Sequence, residues 1–241
     1  MSTIRRVVDA RTARETIREL TDRKVKLDAV VLDKVAALDA LDALHPEEPR
    51  ADAVDVAYAA GDPDGAHTAA LQQLTYEARR QAWHRAQKAA SAAVLESVIT
   101  HRDTIHEQLR THADKLIARL EAAAAVEDIG LDRLLRDGRE QDAKTVADAP
   151  WCESELKRLY ALRDMRLRRP RETYGTRLVD TGMWRDPRTV RGTTTLLAGL
   201  RAGGELWFPT IEDAAAAASP IQAELDAAHQ PAPRAGSVAF G

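Results

Sequence analysis

Apolar and polar positions follow a helical periodicity through most of the N-terminal half of the chain. The first run begins at Thr12, where Thr12-Ala-Arg-Glu15 has the form of a capping box that starts a helix. Apolar residues then recur in a seven-residue repeat that Lys24 and Lys34 interrupt. The apolar members of this seam are Ile17, Leu20, Leu27, Val31, Leu38 and Leu41. The pattern predicts one long, coiled-coil-like helix that ends at Pro46 and Pro49.

A second run, from about residue 67 to residue 124, contains neither glycine nor proline and is dominated by strong helix formers. As one helix it spans roughly 85 Å, so it needs a lateral partner, either the first helix folded back antiparallel or a second chain. Thr104-Ile-His-Glu107 also resembles a capping box and favours the alternative of a break near Thr100. We expect Trp83 and the apolar seam of the first helix to form an oligomer interface.

The next part of the chain is punctuated by turn residues. Residues 131–136 predict a short helix, residues 138–150 a polar linker, and residues 152–168 a helix that ends before Pro170. Aromatic residues are only 4% of the chain, and most of them follow residue 150. This change in composition predicts a domain boundary between residues 149 and 150.

Glycine-rich, β-prone sequence follows Pro170. Residues 176–180 and 183–185 predict two short strands about a turn at Thr181-Gly182. Residues 193–202 and 205–208 predict a second hairpin, because the paired glycines between them permit a tight turn. Together these segments predict a small α+β module.

Two further helix starts are indicated at Thr210 and at Ser219, the second with proline at its first position. From His229 onward the sequence has no periodicity and predicts an extended or disordered tail. The expected fold is mainly α, with a long-helix region over residues 1–149, an α+β module over residues 150–228 and a tail over residues 229–241.

Composition excludes several classes of protein. The 241 residues include 35 basic and 38 acidic side chains, so the overall charge says little about partners. No apolar run has the roughly 18 to 20 residues of a membrane span, and no secretory signal is recognisable near Met1. The single Cys152 excludes an intramolecular disulfide and a multi-cysteine zinc site. We expect a cytoplasmic protein, or one within a large assembly such as a virion, with no membrane partner.

Positive charge is concentrated between Lys157 and Arg191, a segment that contains eleven basic residues and four acidic ones. Arginine can grip phosphates and carboxylates with two hydrogen bonds, so this region is the predicted partner-binding site. Its predicted contact residues are Arg163, Arg166, Arg168, Arg169, Arg171, Arg177, Trp184, Arg185 and Arg188. Three interpretations stay open: a solvated surface that pairs with acidic residues of the same chain, a protein docking surface, and a nucleic-acid surface.

Signals for catalysis or metal binding are weak. Gaps of five and six residues between His101, His106 and His112 point these side chains in different directions on a helix, which disfavours a shared metal. Cys152 is expected to be a buried structural residue, and we find no recognised motif for nucleophilic, nucleotide-dependent or zinc-dependent catalysis. We therefore expect no cofactor and no catalytic activity.

The sequence favours a non-catalytic structural or assembly protein. It is expected to oligomerise through its long helices and to dock onto a larger protein complex through the Arg-rich region. Components of phage particles share this layout. Two alternatives remain: a nucleic-acid-binding or packaging protein that uses residues 157–191, and an enzyme of unidentified class with a pocket around Trp184 and Trp207.

Overall fold

The computed structural model describes residues 9–127, 129–176 and 178–229. The chain is mainly helical, with 71% of its residues in helices, which confirms the expected fold class at that level. It divides into two compact units, an N-terminal unit up to Ile105 and a C-terminal unit from His106. Residues 230–241, nearly all of the expected tail, lie outside the described residues, as does Arg177.

The predicted long first helix is instead two helices, α1 (Ala10–Asp22) and α2 (Ala29–Asp42). Lys24 ends α1 in a left-handed conformation with φ +59°. The backbone N–H of Val25 donates to the Leu20 carbonyl at 3.1 Å, the bond that marks a Schellman ending, and both side chains are buried. The sequence suggested no break here, because glycine usually occupies such a position.

Aspartates, and not the predicted Thr12 box, cap the starts of these helices. The Asp9 carboxylate accepts a hydrogen bond of 2.7 Å from the Thr12 amide at the start of α1. Asp28 accepts one of 2.8 Å from the Val30 amide at the start of α2. Each bond satisfies an amide that has no partner within its helix.

The second helical run is also divided into separate helices. This is the alternative of a break near Thr100, which the possible capping box at Thr104 favoured. α3 (Ala53–Ala59) precedes α4 (Pro63–Thr100), a helix of about 57 Å. At His101 the backbone leaves the helical region, with φ −99° and ψ 17°, and α5 (Arg102–Ala125) follows. The continuous helix expected from residue 67 to residue 124 is therefore wrong.

In the N-terminal unit, α1, α2 and α3 pack along α4. Ala13, Leu38 and Val94 are completely or almost completely buried where α1, α2 and α4 meet. The Trp83 indole N–H donates to the Leu41 carbonyl at 2.9 Å. The Gln73 amide donates to the Ala51 carbonyl at 3.2 Å, so the chain after α2 runs antiparallel to α4.

The C-terminal unit contains α6 (Leu131–Arg136), as predicted, and α7 (Glu140–Leu162), followed by a π-helix (Arg163–Leu167). The linker expected over residues 138–150 is wrong, and the boundary expected at residues 149 and 150 lies inside α7. Pro150 is exposed, while Ala149 and Cys152 continue a buried apolar stripe. Packing of that stripe outweighs the one hydrogen bond that proline removes.

The two predicted hairpins are replaced by two isolated antiparallel bridges in the described part of the unit, Gly175 with Asp180 and Trp184 with Leu206. The first turn is centred earlier than predicted, since the Thr181 amide donates to the Tyr174 carbonyl at 2.9 Å. Gly175 has φ +141°, and a β-carbon there would lie 2.1 Å from the Val179 carbonyl oxygen. Only glycine fits this turn.

The second predicted hairpin is wrong because residues 196–201 are helical. α8 (Leu196–Arg201) begins where the Thr195 hydroxyl accepts a hydrogen bond of 3.1 Å from the Ala198 amide. Residues 205–207 pair with residues 183–185 instead, through Arg185 N–H to the Glu205 carbonyl at 2.9 Å. A helix cap thus overrode the turn signal of the paired glycines.

The last helix, α9 (Ile211–His229), is single and contains Pro220, whereas two helix starts were predicted. The Thr210 box is formed as expected, with Asp213 N–H donating to the Thr210 hydroxyl at 3.1 Å and Thr210 N–H donating back to Asp213 at 3.2 Å. Each helix in the described part of the chain is too short or too polar to span a lipid bilayer.

Candidate partner-binding surfaces

The central part of α4 has no buried residue between positions 70 and 90. Leu71 is 47% exposed and Leu74 is 80% exposed, although leucine side chains usually lie in the core of a protein. At 100° per residue, Leu71 and Leu74 lie about 60° apart on the helix surface. They therefore form one apolar patch that faces solvent.

Small residues extend this patch along the helix. Ala78 and Ala82 are exposed. Leu74 follows Leu71 by three residues, and Ala78 and Ala82 each follow the preceding member of the series by four. Ala66 and Val94, on the opposite side of α4, are buried in the N-terminal unit. One side of the helix thus packs within the chain while the other stays accessible.

Charged residues lie at the two ends of the same accessible side. Asp64 lies in the first turn of α4, and Arg85 lies about six turns further on, both exposed. In the described part of the chain, neither side chain forms a salt bridge within 4.0 Å. We call the surface of Asp64, His67, Leu71, Leu74, Ala78, Ala82 and Arg85 the outward face of α4.

The predicted oligomer interface is used largely within the chain. Leu20 and Val31 are fully buried, and Leu38 is 1% exposed. Ile17 packs against the core of α1, α2 and α4. Leu27, Leu41 and Trp83 are half-buried. A contact between copies of the chain through these residues stays a prediction, and the more accessible apolar surface is the outward face of α4.

Part of the predicted seam borders an open groove of about 280 Å³ between α1, α2 and α4. Its apolar floor includes Ala13, Ile17 and Leu38. Arg14 on its rim is paired with Asp42, and the Arg14 guanidinium also lies 3.5 Å from Asp39. The ion pairs hold α1 and α2 together across the groove.

Among the arginines predicted to bind a partner, Arg163 is buried and has no access to one. It is 1% exposed, and its guanidinium lies 3.7 Å from the centre of the Tyr174 ring. One terminal nitrogen donates to the Gly182 carbonyl at 2.8 Å, and another contacts the Asp164 carboxylate at 2.8 Å. Burial raises the pKa of Asp164, although the neighbouring Arg163 opposes this effect. Arg163 is therefore a core residue of the C-terminal unit.

Aromatic residues complete this buried cluster. Phe208 is 1% exposed and lies 5.0 Å from the Arg163 guanidinium and 5.1 Å from the His106 ring. The Tyr160 hydroxyl donates to the Trp207 carbonyl at 2.8 Å, and burial raises the pKa of that hydroxyl. The cluster forms part of the interior of the C-terminal unit.

Two more predicted contact residues are engaged with local acids. Arg185 donates to the Glu205 carboxylate at 2.7 Å. Arg188 contacts Asp186 at 2.7 Å and Glu224 at 2.5 Å, and its hydrogen bonds hold the pKa of Asp186 below the ordinary value. These ion pairs agree with the interpretation of a solvated surface whose arginines pair with acidic residues of the same chain. The acidic partners lie in the C-terminal unit.

Trp184, another predicted contact residue, packs inside the same unit. A β-carbon at Gly199 would lie 2.6 Å from the Trp184 ring, and one at Gly204 would lie 2.8 Å from it. The two glycines therefore make room for the indole. No signal in the sequence linked Trp184 to these glycines, which follow it by 15 and 20 residues.

The remaining predicted contact residues that the structure describes lie at and just after the π-helix. Arg169 and Arg171 are exposed, as is Met165 at 59%. Arg166 and Arg168 are half-buried, and one Arg168 nitrogen donates to the Glu172 carbonyl at 2.6 Å. We call Met165, Arg166, Arg168, Arg169 and Arg171 the basic patch.

No group of three or more histidine, cysteine or acidic residues in the described ranges is arranged to hold a metal ion. His106 is buried, with its Nε2 2.8 Å from the Pro209 carbonyl oxygen, and burial lowers its pKa. Cys152 is 1% exposed, and burial raises the pKa of its thiol. These side chains have the environments of structural residues.

Comparison with known proteins gives no relative: no family model, no curated protein and no solved structure matches the chain.

Proposed function

We propose that this chain is a non-catalytic assembly protein that associates with copies of itself through the outward face of α4. The observation that carries the proposal is the exposure of Leu71 and Leu74, at 47% and 80%, in the middle of the longest helix. Large apolar residues grouped on one exposed surface are typical of protein–protein contacts. The opposite side of α4 is already packed within the chain.

Docking onto a larger partner is the second part of the proposal, and it uses the basic patch. Met165 places an exposed apolar side chain at 59% accessibility among the arginines there. Methionine and arginine are enriched in protein interfaces, because each combines contact area with adaptable geometry. Since Arg163, Arg185 and Arg188 are buried or paired, the docking surface is smaller than the sequence predicted.

The test of self-association is the molar mass in solution, measured by light scattering during size exclusion across a concentration series. We expect the mass to rise above the 26.5 kDa of one chain as concentration increases. Replacing Leu71 and Leu74 together by serine is expected to return the protein to a monomer, because the contact loses its apolar centre. Both side chains are exposed, so the fold of the N-terminal unit is expected to be retained.

A matched control is Leu135→Ser, which changes an exposed leucine of the C-terminal unit, 54% accessible on α6. This variant is expected to associate like the unchanged protein. A chain that remains monomeric at every concentration would overturn the self-association proposal. Equal loss of association in both variants would show that general surface hydrophobicity, and not the face of α4, is responsible.

A further inference from the structure

The arrangement of side chains on α4 indicates how two copies would meet, an inference that rests on the proposed self-association. We propose that two α4 helices pack antiparallel through their outward faces about a two-fold axis that passes between residues 74 and 75. The occupant of this surface is therefore a second copy of the same chain. Charge and size complementarity along the helix carry the proposal.

Charge complementarity fixes the direction of the two helices. In the antiparallel arrangement, residues whose numbers are symmetric about the axis face each other, so Asp64 of one copy lies opposite Arg85 of the other. The two-fold axis repeats this pair at both ends of the contact. A parallel arrangement in register would instead place Asp64 against Asp64 and Arg85 against Arg85, which opposes association.

Size complementarity fixes the same register. Leu71 of one copy lies opposite Ala78 of the other, and His67 lies opposite Ala82. Each larger side chain thus meets a small one, which lets the helices approach closely along about 32 Å between residues 64 and 85. Next to the axis, Leu74 of each copy lies opposite Thr75 of the other, and the two Leu74 residues are offset by only about 1.5 Å along the helix. Their 80% exposure in the single chain is the largest among the exposed leucines of the described residues.

The availability of both charged residues supports the pairing. Within the described ranges, Asp64 and Arg85 make no salt bridge, unlike Glu77 and Arg80, which lie 3.7 Å apart on the same helix. Both side chains are exposed and lie within about 60° of each other around α4. A partner helix on the outward face reaches both of them.

The first test reverses the charges. Arg85→Glu is expected to weaken self-association about tenfold, because the new carboxylate faces Asp64 of the other copy twice in each dimer. Adding Asp64→Lys to Arg85→Glu is expected to restore association to within about threefold of the unchanged protein. Arg79→Glu is the matched control, since Arg79 is exposed on α4 but lies about 120° from Arg85.

The second test reads the register directly. Leu71→Cys and Ala78→Cys proteins of different tag length are mixed and oxidised, with the buried Cys152 left in place. The antiparallel register predicts a disulfide mainly between the two different proteins, because position 71 faces position 78. Gln72→Cys, which is exposed but turned away from the outward face, is expected to give little cross-linking.

The outcomes separate this inference from the proposed function. If the unchanged protein never self-associates, both fail. If it associates, but Arg85→Glu behaves like Arg79→Glu and Leu71→Cys links mainly to itself, the antiparallel register is wrong while self-association stands. Rescue by the double charge reversal, together with mixed 71–78 disulfides, would establish the register.

Discussion

The guanidinium of Arg163 lies 3.7 Å from the centre of the Tyr174 ring, in the interior of the C-terminal unit. The side chain is 2% exposed, and its hydrogen bonds reach the Asp164 carboxylate and the Gly182 carbonyl. A buried cation is tolerated only when such partners compensate for its lost hydration. Arg163 therefore joins the π-helix to the loop at residue 182.

Arg163→Ala is expected to lower the free energy of unfolding by about 3 kcal/mol. The change leaves the buried Gly182 carbonyl without this donor and opens a cavity between the aromatic rings. The matched control is Arg158→Ala, which removes an arginine 68% exposed from α7 and its ion pair with Glu155. Exposed pairs contribute little, so the control is expected to change stability by less than about 1 kcal/mol. Urea unfolding followed by circular dichroism measures both. Equal effects would show that Arg163 is not a core residue.

Lys24→Gly is expected to stabilise the N-terminal unit by about 1 kcal/mol, because glycine adopts a φ of +59° without the steric cost that lysine has there. Lys26→Gly, a change in the same connection at a position without positive φ, is expected to reduce stability by about 0.5 to 1 kcal/mol, since it only increases the freedom of the unfolded chain. The opposite signs are visible as shifts of the thermal midpoint. A loss of stability on Lys24→Gly would mean that the connection has another conformation.

The sequence could predict those parts of the fold whose signals lie within a few neighbouring residues. The Thr210 and Asp213 cap and the short α6 were predicted because their signals are local, and each is formed. The break at Lys24 was not predicted, since a lysine in a left-handed conformation has no sequence signature. Helix α7 continues through Pro150 because burial of a whole apolar stripe outweighs one local preference.

Stability is expected to depend on pH through His106. Burial lowers its pKa below the ordinary value of 6.5, so the folded state favours the neutral ring, whose Nε2 lies 2.8 Å from the Pro209 carbonyl. The resulting stabilisation is complete above the unfolded pKa and decreases as pH falls from about 6.5 towards the lower folded pKa. Urea unfolding at about pH 7.5 and about pH 5.5 is expected to show a smaller free energy at the lower pH.

The His106→Gln variant is expected to flatten this dependence, because the ionisable ring is gone while an amide donor remains for the Pro209 carbonyl. His112→Gln is the control, since His112 is exposed on the same helix. If His112→Gln flattens the profile and His106→Gln does not, the buried ring is not the source of the pH dependence.

The candidate partner-binding surfaces were harder to predict from the sequence than the fold. A count of charges identified the basic region but could not show that Arg163 is surrounded by rings, because that requires contacts with the distant Phe208. Leu71 and Leu74 were part of a helical pattern, yet which side of α4 is covered depends on where α1, α2 and α3 pack. The signal that was available is their spacing with Ala78 and Ala82 on one side of the helix.

Binding to nucleic acid through the basic patch is expected to be weak. The Glu172 carboxylate accepts a hydrogen bond of 2.6 Å from the Arg169 backbone N–H, and Arg168 donates to the backbone carbonyls of Asp164 and Glu172. The carboxylate of Glu172 lowers the positive potential that a phosphate would meet. At about 150 mM salt we expect no binding of a labelled DNA duplex, measured by fluorescence anisotropy. Strong binding that weakens steeply with salt, and is lost when Arg166, Arg168, Arg169 and Arg171 become alanine, would favour the nucleic-acid alternative.

Gly199→Ala is expected to destabilise the C-terminal unit by about 1 to 3 kcal/mol, although alanine normally favours a helix such as α8. The new methyl group would lie 2.6 Å from two atoms of the Trp184 ring, and Gly204 lies close to a third atom of the same ring. Trp184→Leu removes that obstacle, so in its background Gly199→Ala is expected to have little effect or to stabilise. Thermal unfolding of the four proteins of this cycle measures the coupling. The same loss in both backgrounds would show that contact with Trp184 is not the reason for the glycine.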